Sequence, residues 1–264
     1  MKIKLFYGLE KLNKEEEKLL FAKISENGFE LVDKDEDYLL VIGGDGALIA
    51  AIRENFEDLD KTKILLLSKG TLCFLYDYSF EEIDNLFDDL KKGKLFAKTQ
   101  RLLEGKFNLP ANSKPISNIY ALNEIRIENP FHTLICEVEI DGNKLETYHG
   151  NGLVVSTSVG SSAYNKSLGG ALIEEDLSLL ELTEIATIQN NVYRSLGSSL
   201  VLNGDRKIRF NCDFTKVVVG CDHKHLQIEN CKSLEISLSD KKVSIMRKDE
   251  NTYLDRIKRS FIKC

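Results

Sequence analysis

The sequence predicts an α/β fold up to about Leu95 and an all-β fold beyond it. In the first part, short apolar runs such as Leu39–Ile42 alternate with segments of helical periodicity, which is typical of an open and largely parallel sheet. In the second part, apolar or alternating strands recur at roughly ten-residue spacing with turn signals between them, as in a β-sandwich or barrel. The chain of 264 residues has no internal repeat and no low-complexity linker, so we expect two tightly associated domains.

The elements of the first domain follow from their boundary residues. Two helices begin with a capping box, in which a small polar residue precedes a glutamate by three positions. The two boxes are Asn13 with Glu16 and Ser79 with Glu82. We expect these helices to end at Asn27-Gly28 and at Gly93, and a third helix to follow Gly46. The predicted strands are Ile3–Tyr7, Phe29–Val32, Leu39–Ile42 and Ile64–Leu67.

The second domain is predicted to be almost entirely β-structure. Thr133–Ile140, the turn Asp141-Gly142 and Lys144–Tyr148 have the pattern of a hairpin with a type I′ turn. The exception is Gly160–Ile188, which is too long for a hairpin loop and in which Leu177–Ile185 has helical spacing. The other predicted strands are Ile119–Glu128, Gly152–Ser156, Ser199–Leu202, Lys207–Asn211, Lys216–Gly220, Leu226–Glu229, Leu234–Leu238 and Val243–Arg247.

Composition and charge exclude several classes of function. The net charge of −6, with basic residues scattered among acidic ones, argues against a nucleic-acid-binding surface. No apolar stretch reaches bilayer length, and the first residues form too short an apolar run for a signal peptide. The cysteines lack metal-ligand spacing and are expected to be free thiols in a reducing compartment, which favours the cytoplasm. They are Cys73, Cys136, Cys212, Cys221, Cys231 and Cys264.

The turn Gly43-Gly44-Asp45-Gly46 is the first candidate site. It joins an apolar strand to a helix at the carboxyl end of the strand, where open α/β sheets bind ligands. Its glycines let a phosphate approach the backbone N–H groups, and the helix N-terminus adds unsatisfied N–H groups. Asp45 is the reactive side chain of the turn and is suited to accept a proton. A purely structural turn with a capping aspartate is the alternative.

Two polar clusters in the second domain are further candidates. Asn123 and Glu124 lie in a strand-like apolar context, where consecutive side chains point to opposite faces, so one of them needs an inward partner. An amide can read an adenine edge and a carboxylate can accept two ribose hydroxyls, although a polar strand end is the alternative. Gly150–Gly170 is rich in glycines and short hydroxyl side chains that suit phosphates and sugars, and Tyr164 could stack on a base. A flexible loop is the alternative there.

In combination these motifs resemble the NAD kinase family, which phosphorylates the 2′-hydroxyl of the adenosine ribose of NAD to make NADP. The motifs follow the family's order along the chain, from Leu39 to His223. They are Gly43–Gly46, Asn123-Glu124, Gly150–Gly170 and Cys221-Asp222-His223. The resemblance implies a kinase that uses the γ-phosphoryl group of ATP, or polyphosphate, as the donor.

The resemblance also implies a fold. It predicts an N-terminal Rossmann-like α/β domain of residues 1–95 and a C-terminal β-sandwich domain of residues 96–249 that binds NAD. A tail of residues 250–264 is expected to return to the first domain. In this tail, Leu254, Ile257 and Phe261 share one helical face, which is expected to dock on a domain surface.

Individual roles follow from the resemblance. Asp45 is expected to be the general base, and the ATP phosphates are expected at Gly43, Gly44, Gly46 and Arg53. The residues assigned to NAD are Gly46, Phe74, Asn123, Glu124, His149, Asn151, Ser162, Ala163, Tyr164, Ser167, Ala186, Ile188 and His223. The part of this set near the nicotinamide half also implies a subunit contact, and hence a homodimer or homotetramer.

Metal use and departures from the family complete the interpretation. The sequence shows no acidic metal cage, so we expect no metal site made by the protein alone and Mg²⁺, or another divalent cation, arriving with ATP. The departures from the family pattern are Ala47, Cys73, Val159 and Asn151, the last replacing a usual aspartate. They bear on affinity and cofactor preference more than on the type of reaction.

Other functions remain open at this point. Lipid kinases of the diacylglycerol type and 6-phosphofructokinases also carry a Gly-Gly-Asp-Gly turn, but this chain lacks the Pro-x-Gly-Thr-x-Asn-Asp stretch of the lipid kinases and a basic amphipathic membrane face. A non-catalytic NAD-binding regulator is the alternative from a different class. Asp45 argues against it, because a pure binder gains nothing from a carboxylate beside phosphates.

Overall fold

The computed structural model describes residues 1–9, 11–70, 73–248 and 252–262. The chain forms two compact units, Met1–Gln100 with Lys241–Cys264, and Arg101–Asp240. The first is α/β and the second is β-rich, which confirms the predicted fold class, while the domain limits 1–95 and 96–249 stay a prediction. Cys264, one of the predicted free thiols, and residues 250, 251 and 263 of the predicted tail lie outside the described residues.

A parallel sheet forms the centre of the first unit. In spatial order its strands are Glu30–Leu31, Lys2–Tyr7, Tyr38–Gly43 and Lys63–Ser68. Tyr78–Ser79 and the end of Ser233–Arg247 also pair in parallel with Lys63–Ser68. Gly43 and Ser68 are register partners, so the carboxyl ends of two central strands lie side by side at the glycine turn.

Helices connect these strands, and both predicted capping boxes are confirmed. Asn13 and Glu16 cap the first helix, and Ser79 and Glu82 cap a short 3₁₀ turn that leads into a longer helix. The helical segments of this unit are Lys14–Glu26, Asp45–Glu54, Phe56–Asp58, Phe80–Glu82, Ile83–Lys91, Thr252–Ile257 and the π-helical Lys258–Ile262. Within the described ranges, none of the helices has the length and apolar character needed to cross a membrane.

The second unit is built from two layers of β-strands. One layer is a six-stranded antiparallel sheet with the spatial order Leu200–Asn203, Leu179–Ile185, Gly152–Thr157, Glu124–Glu128, Val218–Cys221 and Lys224–Leu226. The other has the order Asn143–Gly150, Leu134–Ile140, Ile208–Cys212 and Ser233–Arg247, followed by Phe96–Asn108 and Ile119–Ala121. A single apolar core contains buried side chains from both layers, so this unit is a β-sandwich.

The predicted hairpin in this unit is confirmed. Leu134–Ile140 and Asn143–Gly150 pair in an antiparallel manner across Asp141 and Gly142. These two residues have φ values of 51° and 77°, and positive φ at both central positions defines a type I′ turn.

The helix predicted within Leu177–Ile185 was wrong, because the segment is the strand Leu179–Ile185. Leu180 and Leu182 point into the sandwich core. Glu181, on the opposite face, is also buried and accepts hydrogen bonds from the Asn165 side chain and from the N–H of Ala171, both at 2.7 Å. Burial of both faces hid the two-residue period that would have indicated a strand.

Several predicted strand limits also needed correction. Ile119–Glu128 is interrupted at Leu122-Asn123, where the backbone N–H groups bind a side chain rather than a neighbouring strand. The two segments predicted within 234–247 form one strand, Ser233–Arg247. The strand Phe96–Asn108 was not predicted. The last predicted strand before residue 230 lies earlier, at Lys224–Leu226.

The tail belongs to the first unit, as predicted, and Phe261 of the predicted face stacks on Phe74, but the most deeply buried side chains lie on another face. Leu254 is 60% exposed, whereas Tyr253 and Arg256 are 7% and 1% exposed. The Arg256 guanidinium lies 3.8 Å from the Asp77 carboxylate and 5.6 Å from the centroid of the Phe74 ring. The surface that receives the tail thus offers a carboxylate and an aromatic face, which select an arginine over an aliphatic side chain.

Positive φ in the glycine turn is confined to Gly43, whose φ is 144°. A Cβ atom there would lie 2.9 Å from the Cβ of Ala47 and 3.4 Å from the Cα of Gly8. A Cβ atom at Gly46 would meet nothing within 4 Å. Gly43 is therefore required by the backbone, whereas Gly46 leaves open space beside the helix N-terminus.

We expect Gly43→Ala to lower the free energy of unfolding by about 1–3 kcal/mol, because the substitution combines an unfavourable φ with a steric clash. Urea unfolding followed by circular dichroism measures the change.

Gly46→Ala is the matched control. It adds the same methyl group in open space within a helix and should change stability by less than about 1 kcal/mol. Equal losses in the two variants would contradict the assignment of the constraint to Gly43.

Candidate functional site

Asp45 lies at the junction of strand and helix in the first unit. It is the first residue of the helix Asp45–Glu54, directly after the strand that ends at Gly43. Its two carboxylate oxygens accept hydrogen bonds from the N–H groups of Phe74 and Leu75, both at 2.9 Å. A carboxylate oxygen has two lone pairs, so this arrangement fixes the orientation of Asp45 and leaves each oxygen able to accept one more hydrogen.

Burial dominates the electrostatics of Asp45. Desolvation raises the pKa of this carboxyl above its ordinary value, while the two backbone hydrogen bonds, Arg247 and Arg256 act in the opposite direction. These hydrogen bonds and the charges of the two arginines limit the rise in the pKa of Asp45. Asp45 is therefore a stronger base than a solvated aspartate, and this is the direction that proton abstraction near neutral pH requires.

The tail supports the loop that holds Asp45. Arg259 donates hydrogen bonds to the carbonyl oxygens of Cys73 and Tyr76, at 3.2 Å and 2.7 Å. The buried Arg247 donates to the carbonyl oxygen of Leu75. Residues from a distant part of the sequence thus fix the loop Cys73–Tyr76, including the peptide group between Cys73 and Phe74 whose N–H binds the carboxylate.

The glycine turn is ordered by its own neighbours. The Tyr76 hydroxyl donates to the carbonyl oxygen of Gly44 at 2.8 Å, and the N–H of Lys69 donates to that of Gly43 at 3.3 Å. Gly44 caps the helix without a side-chain hydrogen bond. The first N–H groups of the helix, which have no intrahelical acceptor, are therefore available to an anion.

Asp222 organises the candidate site of the second unit. Its carboxylate accepts hydrogen bonds from three consecutive backbone N–H groups, those of Leu122, Asn123 and Glu124, at 2.9, 2.8 and 3.2 Å. Its own N–H donates to the carbonyl oxygen of Glu124 at 3.0 Å. This exchange replaces strand pairing at Leu122-Asn123 and fixes the direction of both predicted ligand-binding side chains.

The two carboxylate oxygens of Glu124 differ in their hydrogen bonding. It is 5% exposed, and Oε1 accepts a hydrogen bond from Arg126 at 3.1 Å. Oε2 is buried and has no hydrogen-bond partner within the described part of the chain. Burial, followed by the charges of Asp222 and Glu128, raises the pKa of Glu124 to about 7, and Arg126 opposes this rise. A buried acceptor without a partner is costly, so a ligand hydroxyl would stabilise it.

The glycine and serine run lies against the Asn-Glu pair and is ordered. The Thr157 N–H donates to the carbonyl oxygen of Asn123 at 2.9 Å, and a Cβ atom on Gly160 would lie 2.1 Å from that oxygen. The Tyr164 hydroxyl donates to Glu128 at 3.2 Å. The predicted nucleoside-binding residues of this run are Ser162, Ala163, Tyr164 and Ser167, all within the 3₁₀ turn Gly160–Ser162 or the short helix region that follows it.

Four residues assigned to the nicotinamide half are brought together in the second unit. The N–H of Ile188 donates to the carbonyl oxygen of His149 at 2.8 Å. Asn151 is bound through its N–H to the carbonyl oxygen of Ile185, next to Ala186, whose φ is 48°. The His149 ring stacks on Tyr193 with a centroid distance of 4.2 Å.

His223, which was also assigned to NAD, lies in a turn rather than in a strand. It lies with Asp222 in the turn between Val218–Cys221 and Lys224–Leu226, so His223 and His225 do not share a face of one strand. Among the described residues, no three His, Cys, Asp or Glu side chains are grouped so that they could hold a metal ion.

Arg53 and Phe74 belong to the first unit. Arg53 is exposed in the last turn of its helix, about 12 Å along the axis from Asp45 at 1.5 Å per residue. The Phe74 ring stacks on Phe261 at 5.5 Å and meets Tyr253 edge-on at 6.4 Å. Their roles toward ATP and NAD stay predictions.

Sequence reasoning assigned no role to several residues that shape these sites. Asp222 was noted only as part of a motif, and Arg126, Arg247 and Arg256 were not singled out. A carboxylate directly after a strand and arginines inside apolar segments are the available signals, but their partners are distant in sequence.

The two units define a class: an α/β unit with a glycine turn and a half-buried aspartate at a helix N-terminus, combined with a β-sandwich that carries an Asn-Glu pair. Residues 122–248 match the model of the ATP-NAD kinase C-terminal domain. The chain belongs to the NAD kinase family, since it is 30% identical to NAD kinase 2 of Bacillus subtilis over 97% of this chain and 96% of that protein. It is also 32% identical to the NAD kinase of Streptococcus gordonii, over 99% and 95% of the two chains.

Solved structures share the fold. The crystal structure of yeast NADH kinase complexed with NADH has a TM-score of 0.83 at 18% identity, covering 100% of this chain and 88% of that one. An NAD kinase from Archaeoglobus fulgidus in complex with ATP has a TM-score of 0.76 at 19% identity, covering 98% and 99%. The architecture described above is therefore that of the family.

The departure at Asn151 has a structural reason. Its side-chain amide donates to the carbonyl oxygen of Asn129 at 2.9 Å, while the Asn129 N–H donates to the carbonyl oxygen of Asn151 at 2.7 Å. A carboxylate at this position could not donate and would face a carbonyl oxygen. We therefore expect Asn151→Asp to destabilise the protein by about 1–3 kcal/mol at pH 7, measured by urea unfolding.

The loss should shrink as the pH falls through the pKa of the introduced carboxyl, because its protonated form can donate. Asn143→Asp is the control, since the Asn143 amide makes the same kind of bond to the carbonyl oxygen of Asp141, at 3.3 Å, but on the exposed surface. It should change stability by no more than about 0.5 kcal/mol. A stable, pH-independent Asn151→Asp protein would contradict the requirement for a donor.

Proposed function

We propose that this chain transfers the γ-phosphoryl group of ATP to the 2′-hydroxyl of the adenosine ribose of NAD, producing NADP, with Asp45 as the general base. The observation that carries the proposal is the Asp45 carboxylate, which is half-buried, fixed by two backbone N–H groups and located at a helix N-terminus. Its setting combines a base with an anion-binding site. The full-length relatives named NAD kinases supply the identity of the substrates.

The geometry of Asp45 suits a reaction in which the proton is transferred late. Phosphoryl transfer passes through a loose transition state, so orientation of the hydroxyl matters more than a strong base. The free lone pairs of Asp45 orient the hydroxyl, and the carboxylate then takes its proton. The raised pKa of Asp45 assists this step.

The glycine turn supplies the phosphate site. N–H groups at the start of the helix Asp45–Glu54 and the open space beside Gly46 accommodate the phosphates of ATP. Complexes of family members with ATP and with NADH agree with a nucleotide donor and a dinucleotide acceptor. Polyphosphate would use the same N–H groups as an alternative donor.

A divalent cation, Mg²⁺ by preference, is proposed to arrive with ATP. Asp45 is the acidic side chain of the turn, and both of its oxygens already accept backbone hydrogen bonds, which suits a cation that keeps most of its water and phosphate ligands. The cation would offset the negative charge of the phosphates.

The second unit is proposed to bind NAD. The free Oε2 of Glu124 accepts ribose hydroxyls, and the Asn123 side chain reads the adenine edge. Ser162, Ala163, Tyr164 and Ser167 line the nucleoside pocket. His149, Asn151, Ala186, Ile188 and His223 serve the nicotinamide half and a contact between copies in a cytoplasmic homodimer or homotetramer.

The alternative functions receive no support. The relatives from Bacillus subtilis and Streptococcus gordonii, which align with nearly the whole chain, are both named NAD kinases. Asn151, one of the departures from the family pattern, is explained by its hydrogen bond to the carbonyl oxygen of Asn129.

We expect Asp45→Asn to abolish most NADP formation, because the amide cannot take the proton of the ribose hydroxyl. The assay incubates the protein with NAD, ATP and Mg²⁺ and follows NADP with an NADP-specific dehydrogenase. The NH₂ of the new amide must also lie opposite the N–H of Phe74 or of Leu75, which places two donors face to face. We therefore expect the substitution to lower the free energy of unfolding by about 1–3 kcal/mol.

Urea unfolding therefore accompanies the assay and establishes that the variant is folded. Asp213→Asn is the matched control, since Asp213 is an exposed carboxylate that accepts a hydrogen bond from the N–H of Thr215 at 3.2 Å. It should retain full activity. A folded Asp45→Asn protein with a near-wild-type rate would exclude Asp45 as the base.

Removal of divalent cations by a chelator should stop NADP formation while NAD binding, measured by calorimetry, persists. The reason is that the cation accompanies ATP rather than NAD. Activity that continues in the chelator, with no metal in the protein by elemental analysis, would contradict a role for Mg²⁺.

A further inference from the structure

Arg126 lies between the residues proposed to bind the adenosine of NAD, yet it was not part of the predicted site. It sits two residues after Glu124 and two before Glu128 in one strand, so the three side chains share a face. Its Nη1 donates to Glu124 Oε1 at 3.1 Å, and its Nε donates to Glu128 Oε2 at 3.1 Å. One guanidinium thus connects two carboxylates.

Two further contacts fix the guanidinium. Nη1 also donates to the carbonyl oxygen of Asp222 at 3.0 Å, in the turn that orients Asn123 and Glu124. Its Cζ lies 5.4 Å from the centroid of the Tyr164 ring, whose hydroxyl donates to the same Glu128. Arg126 therefore contacts the Asn-Glu segment, its supporting turn and the glycine and serine run.

The neighbouring strand makes room for this side chain. Gly220 is the register partner of Arg126, and a Cβ atom on Gly220 would lie 2.7 Å from both Cγ and Cζ of the arginine. The aliphatic part and the guanidinium of Arg126 therefore pack directly on the backbone of Gly220, and this contact fixes the plane of the guanidinium.

We propose that Arg126 is the positioning residue for NAD: its guanidinium fixes the Glu124 carboxylate through Oε1 and holds Tyr164 in place, so that the free Oε2 of Glu124 accepts the ribose hydroxyls. This inference rests on the proposed function, which assigns the adenosine of NAD to Glu124.

The charges around Glu124 explain why it needs this partner. Asp222, Glu128, Tyr164 and Arg126 are the titratable or charged groups that interact with it electrostatically. Burial and the two carboxylates raise the pKa of Glu124, and Arg126 is the neighbour that lowers it. Without Arg126, more of the Glu124 carboxyl would be protonated at neutral pH. A protonated carboxyl offers one fewer acceptor to the ribose.

The pH dependence of NAD binding follows with a defined sign. In the wild type, affinity should fall as the pH drops through about 7, the raised pKa of Glu124, because the ionised form binds. Loss of Arg126 raises the pKa of Glu124 further, so the same fall should occur at higher pH. A purely structural role would lower stability without moving this midpoint.

The experiment compares wild type, Arg126→Met and Arg126→Lys by calorimetric titration with NAD between pH 6 and 9, and by steady-state kinetics. We expect Arg126→Met to weaken NAD binding and raise KM by about tenfold at pH 7, with kcat changed by less than about threefold. Its binding midpoint should move to higher pH. Arg126→Lys keeps the positive charge but loses the planar set of N–H donors of the guanidinium. It should therefore have the wild-type pH midpoint but only part of the wild-type affinity for NAD.

Arg209→Met is the matched control. Arg209 also joins two glutamates, Glu139 and Glu235, at 3.2 Å and 2.6 Å, on the other layer of the same unit. It should leave the affinity, KM and pH midpoint for NAD at wild-type values.

Wild-type NAD affinity and midpoint in Arg126→Met would overturn the proposal, as would a loss confined to kcat. If urea unfolding shows that Arg126→Met is not folded, Arg126→Lys provides the test. Wild-type NAD affinity together with a wild-type pH midpoint in Arg126→Lys would overturn the positioning role. The wild-type protein could also bind NAD without making NADP. If replacement of Arg126 weakens NAD binding in that case, the result supports this inference and rejects the proposed function.

Discussion

The three hydrogen bonds from Leu122, Asn123 and Glu124 to the Asp222 carboxylate are the interaction on which the second unit's site depends. They interrupt a strand that would otherwise continue, and they fix the direction of the Asn123 and Glu124 side chains, which are proposed to bind NAD. They also place a buried negative charge beside Glu124, which makes that carboxylate sensitive to its neighbours. Glycines and hydroxyl side chains of the adjoining run then pack against the same carbonyl groups.

The first unit uses a related device with the roles exchanged. There the carboxylate that accepts consecutive backbone N–H groups, Asp45, is itself the proposed general base, and the loop Cys73–Tyr76 supplies the donors. In both units a carboxylate is matched to the backbone of a segment far away in sequence. Such matching offsets the cost of burying the charge and gives a precise orientation.

The parts of this structure that were predictable from the sequence are those with local causes. The capping boxes, the type I′ turn at Asp141-Gly142 and the strand before Gly43 depend on residues a few positions apart. The prediction of a helix within Leu177–Ile185 was wrong because Glu181 is buried against Asn165, which hides the period of a strand. The burial of Arg256 in the tail was not predicted, because it depends on the distant Asp77. Likewise, the motif residues of the proposed site could be named from local patterns, but the residues that support them, Asp222, Arg126 and Arg247, depend on contacts that no local pattern shows.

Asn151 has a consequence for the chemical lifetime of the protein. An asparagine followed by glycine is prone to deamidation, because the unhindered nitrogen of the glycine can attack the side-chain carbonyl carbon and expel ammonia. Here the Gly152 N–H is bound to the Tyr148 hydroxyl at 3.0 Å, and the Asn151 amide is bound to Asn129. The fold therefore restrains both reacting groups, and slow conversion to aspartate and isoaspartate is confined to molecules in which this segment has opened.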